Sequence, residues 1–140
     1  MKTVIKNIVT TVLLCVVALP VQAKEPGRAL YLEYCAACHG ENLEGQTDWQ
    51  TVDSDGALPA PPHDRTGHTW HHGDGLLMDY ILLGGKQALA TRGVAFESGM
   101  PGFEGTLSEA EAAQILDYIK STWSERMRAF QEERTAAEAG

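Results

Sequence analysis

Hydrophobic residues are distributed unevenly along the chain. From Ile8 to Leu19 almost every position is apolar, whereas later apolar residues recur at helical spacing in short runs. Over Arg28–Cys38, Leu30, Tyr31, Tyr34 and Cys38 follow at three- and four-residue steps, which predicts a helix. Residues 40–67 hold many Gly, Pro, Asp and Asn without a sustained period and predict a long loop. A short turn is expected at 69–71, and Gly75–Leu83 predicts a second helix stopped by Gly84-Gly85. Residues 86–99 predict another loop. Ser108, with Glu111 three residues on, forms a capping box that opens the last helix, and Leu107 is placed to act as its staple. Ile115, Leu116, Ile119 and Trp123 form one apolar stripe, which Met127 and Phe130 extend. Residues 131–140 are polar and charged, and a frayed tail is expected there.

The apolar opening has the order of a secretory signal peptide. Lys2 and Lys6 supply a basic start, the run to Leu19 an apolar centre, and Val21-Gln22-Ala23 a small-residue cleavage site. A transmembrane anchor would need roughly 20 apolar residues, and this run is shorter. Cleavage after Ala23 leaves a 117-residue chain, with the domain proper over 24–130. Cys15 departs with the signal; Leu14 before it does not suit lipidation. An exported, periplasmic chain is expected, its remaining cysteines in an oxidising compartment.

Removal of the signal changes the charge. The whole chain carries a net charge of -8, from 11 basic and 19 acidic residues. Without Lys2 and Lys6 the balance is -10. Phosphate affinity comes mostly from Lys and Arg, so nucleic acid is a poor partner. At 140 residues the chain is one small domain, too short for a TIM barrel.

The remaining cysteines carry the chemistry: Cys35-Ala36-Ala37-Cys38-His39. A thioredoxin-like site would sit between a strand and a helix, and nothing before Cys35 reads as a strand. Zinc would call for a second ligand pair. Histidine directly after the second cysteine is what c-type haem attachment requires. One helical turn brings both thiols to one porphyrin, and His39 presents its imidazole to the iron.

A second axial ligand decides whether such an iron is open to small molecules or built for electron transfer. Met78, Met127, His63, His68, His71 and His72 are available, but Met78 and Met127 read better as packing residues. Met100 lies in Ser98-Gly99-Met100-Pro101-Gly102-Phe103, where glycine allows close approach and proline stiffens the loop. It follows His39 by 61 residues and precedes the terminal helix, and it is the preferred ligand.

Cys-Ala-Ala-Cys-His early, Gly-Met-Pro-Gly-Phe late, and a final helix carrying Leu116-Asp117-Tyr118-Ile119-Lys120 together resemble class I c-type cytochromes over Gly27–Trp123. The resemblance implies an all-α fold, with about three to four helices by the pattern above and long loops wrapped around one haem c. It implies thioethers at Cys35 and Cys38, His39 and Met100 as iron ligands, and a proline carbonyl that accepts the His39 Nδ1 proton. Pro61, in Ala60-Pro61-Pro62, matches that last element.

Other residues carry weaker signals. His68, His71 and His72 form a histidine run that could hold copper, though a haem-edge loop is the plainer reading. Arg65 and Trp70 are candidates for propionate contacts, and Tyr34 and Phe103 for walls of the haem pocket. The reading is a single-electron carrier without catalysis of its own, exchanging electrons with redox proteins that bear basic patches. The alternatives are an open-iron haem enzyme or sensor, a haem subunit of a larger oxidoreductase, and a copper-handling protein.

Overall fold

A computed structural model describes residues 24–54 and 56–140. The expected signal peptide, residues 1–23, lies outside the described residues. The helices are α1 (Lys24–Tyr34), α2 (Ala36–His39), α3 (Asp74–Leu83), α4 (Gly85–Ala90), α5 (Glu109–Ser121) and α6 (Glu125–Glu138), with a 3-10 turn at Thr69–His71. No strand is present among the described residues, so the all-α expectation is met with more helices than foreseen. No described helix is long and apolar enough to cross a membrane.

The core forms where α1 meets α5, the most extensive helix pair. On α5 the buried residues are Ala112, Ile115, Leu116 and Ile119, at the three- and four-residue steps that keep them on one face. Tyr31 from α1 is fully buried, its ring centroid 5.4 Å from that of Tyr118. Leu43, Leu77, Ile81, Leu107 and Trp123 close the cluster. Each large aliphatic side chain buried here stabilises the fold by about 1.5–3 kcal/mol.

The start of α5 follows the sequence closely. Ser108 Oγ accepts from the Glu111 amide at 3.3 Å, and Glu111 Oε2 accepts from the Ser108 amide at 2.9 Å. Leu107, just before the cap, is buried in the same cluster as Ala112.

Four elements differ from expectation. Helix α1 already covers Lys24, the first described residue, rather than starting at Arg28. It ends before Cys35, whose φ of -116° leaves helical geometry, and the attachment motif occupies its own turn, α2. The expected loop after Gly84 contains α4: Gly84 ends α3 and also serves as the N-cap of α4. The expected continuous stripe through Phe130 is broken, since Ser124 is extended and its Oγ accepts from the Met127 amide, starting α6. The tail expected to fray is helical to Glu138, with Gln131 wholly buried.

The long segment between His39 and Thr69 contains no helix, as expected. Its backbone is pinned at particular points. The Gln46 amide donates to Ala60 O at 2.9 Å, and the His63 amide donates to Leu43 O at 2.8 Å.

Candidate haem attachment site

The end of α1 and the turn of α2 place three functional side chains within five residues. Cys35 is half-buried, Cys38 exposed and His39 buried, and the two cysteines are not joined to each other. The His39 amide donates to Cys35 O at 2.9 Å, which keeps the motif on one turn. Tyr31 Oη donates to Gly40 O at 2.8 Å and ties the end of that turn to α1. Burial, and then the neighbouring Cys38, push the Cys35 thiol up to about 11.

His39 is oriented by a proline carbonyl. Its Nδ1 lies 2.8 Å from Pro61 O. A carbonyl can only accept, so Nδ1 carries the proton and Nε2 keeps its lone pair for a metal. The carbonyl partner also raises ligand basicity. Burial holds the His39 pKa below the ordinary value, the hydrogen bond partly opposing it, so the imidazole is neutral and able to coordinate.

The chain around Gly45 brings Pro61 to that position. Gly45 has φ +67°, and a Cβ there would lie 2.4 Å from Pro62 N and 2.7 Å from the Pro61 carbonyl carbon. Only glycine lets the two backbone segments approach so closely.

His63 packs beside this pair. Its ring stacks on His39 with centroids 4.1 Å apart and an interplanar angle of 25°. Its Nδ1 lies 2.8 Å from Thr69 Oγ1, and its carbonyl accepts from Trp123 Nε1 at 2.7 Å. Burial, then the neighbouring histidines, hold its pKa well below the usual histidine value. The sequence offers His63 only as one of several possible iron ligands, and no motif marks it as a stacking partner.

The Met100 loop is held by the segment 81–85. Gly84 has φ +81°, and a Cβ there would meet Gly102 N at 2.6 Å and Met100 O at 2.8 Å. The Gly85 amide donates to Met100 O at 3.2 Å, and the Phe103 and Glu104 amides donate to Ile81 O and Leu82 O at 3.0 and 2.8 Å. Phe103 then meets Tyr34, the residue before Cys35, edge to face at 5.9 Å. The loop carrying Met100 is thereby joined to the end of α1, where the attachment motif begins. Met78 and Met127 are partly buried against the core, in keeping with the packing roles read for them.

The weaker candidates separate. His68 stacks on Trp49 at 5.3 Å and meets His72 edge to face at 5.3 Å, whereas His71 packs against Trp70 and Phe130. No group of three or more His, Cys, Asp or Glu among the described residues is arranged to hold a metal ion. Trp70 already donates its indole N–H to Gly67 O at 3.2 Å and packs 5.6 Å from Phe130, toward α6. Arg65 is exposed on the rim of a surface cavity shared with Arg28 and Trp123.

Two cysteines on one turn, a neutral buried imidazole with Nε2 available, and a thioether on a braced loop define a c-type haem protein. The residues fit the group on donor chemistry. Residues 24–123 match the cytochrome c family, and the chain belongs to it. Its cofactor is haem c, held covalently through Cys35 and Cys38, and its broad role is electron transfer. The chain matches no curated protein and no solved structure.

Proposed function

We propose that this protein is an exported, class I cytochrome c that carries single electrons with His39 and Met100 as its axial ligands. The observation that carries the reading is the 2.8 Å contact between His39 Nδ1 and Pro61 O, which leaves Nε2 free one residue after Cys38. The second ligand is supported by the Tyr34–Phe103 contact, which joins the Met100 loop to the end of α1.

The bound haem supplies an iron that cycles between ferrous and ferric. The chain supplies everything that tunes it. Cys35 and Cys38 hold the group in place. Pro61 fixes the rotation of the His39 ring and strengthens it as a donor. A methionine opposite histidine raises the reduction potential relative to other ligand sets. The charge of -10 on residues 24–140 steers encounter toward redox partners with basic patches. Export rests on the signal-like opening of the sequence.

The test is spectroscopic. The oxidised holoprotein is expected to show the weak far-red band that is the family's usual sign of Met–iron ligation. Met100→Ala is expected to abolish that band and let the reduced protein bind carbon monoxide. A wild-type protein that lacks the band and binds carbon monoxide has an open iron, and the enzyme or sensor reading would replace this one. N-terminal sequencing of protein from its native host is expected to begin at Lys24; a retained Met1 would refute export by cleavage.

A further inference from the structure

We propose that α6 is a latch for the Met100 loop, with Thr135 and Glu138 acting as positioning residues for the distal ligand. The inference rests on the His39/Met100 reading. It concerns a helix that begins at Glu125, beyond the family match, which ends at residue 123.

The first amides of any helix need acceptors from outside it. A local N-cap side chain usually supplies one. Here the N-cap is Gly73, which has no side chain, and α3 has no cap of its own. The acceptors come from α6. Glu138 accepts from the amides of Gly73 and Leu76 at 3.1 and 3.3 Å, and Thr135 Oγ1 accepts from the Asp74 amide at 3.0 Å. A carboxylate at this end also complements the helix dipole. A Cβ on Gly73 would lie 2.5 Å from the Glu138 carboxyl, so the bare glycine is what admits it.

The same corner is fastened from the side. Gln131 Nε2 donates to Asp74 Oδ1 at 2.6 Å and to His72 O at 3.2 Å. Lys120 Nζ reaches both Asp74 oxygens at 2.9 Å. Gln131, Thr135 and Glu138 stand at helical spacing on one face of α6, and Lys120 reaches the corner from α5.

The other end of α3 holds the ligand loop. The tertiary backbone bonds of residues 100–104 all go to residues 81–85: Met100 O from Gly85, Phe103 to Ile81, and Glu104 to Leu82. The first turn of α3 is thus held by α6, its last turn holds Phe103 and Glu104, and Gly85, just past its end, holds Met100 O. Loosening the first should loosen the second.

The test uses the oxidised, full-length holoprotein and two readouts. Thr135→Val/Glu138→Ala removes all three acceptors. It is expected to speed hydrogen exchange at the Phe103 and Glu104 amides by about fivefold or more, and to raise the apparent affinity for added imidazole at the iron by a similar factor. Restoring an acceptor, as Thr135→Val/Glu138→Gln, should recover part of both effects. Asp117→Gly, at an exposed site on α5, is the control: it lowers global stability without touching the latch. If the double variant does not accumulate, Thr135→Val alone should show the same signs at smaller size. Unchanged exchange at Phe103 and Glu104, or equal effects from Asp117→Gly, would overturn the proposal. A wild-type protein without the far-red band would instead remove the Met100 ligation, and the exchange readout would still decide the latch.

Discussion

Gly84 is the position where a single methyl group should do the most specific damage. Its φ of +81° and ψ of 160° lie in a region that is essentially restricted to glycine. Forcing alanine into it costs about 1–3 kcal/mol. The added Cβ would also meet Gly102 N, Met100 O and the Pro101 carbonyl carbon at 2.6, 2.8 and 2.9 Å. These are backbone atoms that cannot rotate aside, and overpacking of this kind costs a further ~1–3 kcal/mol. Gly84→Ala should therefore destabilise the protein by about 2–6 kcal/mol, with the displacement directed into the Met100 loop. Gly105→Ala provides the internal comparison, because Gly105 has φ +80° with nothing within 4 Å of its Cβ position. The difference between the two variants gives the steric part together with any difference in backbone strain. Urea unfolding of the oxidised holoprotein, followed by circular dichroism, measures both. The far-red band reports the ligand separately. If Gly84→Ala falls within about 0.5 kcal/mol of Gly105→Ala, the usual scatter of such comparisons, and keeps its band, the close approach does not constrain the loop.

Two further outcomes follow from the proximal side and the histidine run. Trp123→Phe removes the indole N–H that donates to His63 O at 2.7 Å, together with part of the buried ring system, and should cost at least about 1–3 kcal/mol in urea unfolding; an unchanged midpoint would show that the bond contributes nothing. His68 and His72 are held below the ordinary value of 6.5, first by burial and then by neighbouring histidines. The folded protein keeps them neutral while the unfolded chain protonates them, so their contribution is complete above that pH and is lost as acid brings the folded groups to protonation. His68→Gln/His72→Gln should accordingly flatten the fall in stability between neutral and mildly acidic pH. A slope equal to that of the wild type would place the proton uptake elsewhere.

The chemistry was more legible in the sequence than the scaffold. Cys35, Cys38 and His39 are adjacent, and their meaning depends on spacing that a helix turn preserves. The α5 cap was legible for the same reason: Ser108 and Glu111 bond each other locally. Pro61 was reached only through family resemblance, because the contact that matters spans 22 residues. α4 was hidden by Gly84-Gly85, which reads as a stop; the tertiary contact with the Met100 loop lets Gly84 end one helix and open the next. α6 was hidden by its composition. A polar, charged segment reads as a fraying end, yet Gln131, Thr135 and Glu138 find their partners on α3, more than 50 residues away. Their helical spacing was the available signal, and an apolar-stripe search passes over it. His63 had no signal of any kind, since a stacked histidine resembles any other in one dimension.

The crossing of α1 and α5 has a kinetic consequence. It joins distant parts of the chain: Tyr31 and Tyr118 are 87 residues apart, and the cost of closing a loop rises with the logarithm of its length. A coordinate bridge from His39 to Met100 would shorten that path to 26 residues of chain, from 31 to 39 and from 100 to 118. The closure entropy then falls by about 1 kcal/mol. The conformational search for the α1–α5 interface becomes shorter whenever the axial bridge is already closed. On this arithmetic the cofactor speeds the folding of the chain that carries it, and a Met100→Ala holoprotein should refold more slowly than its loss of stability alone would require.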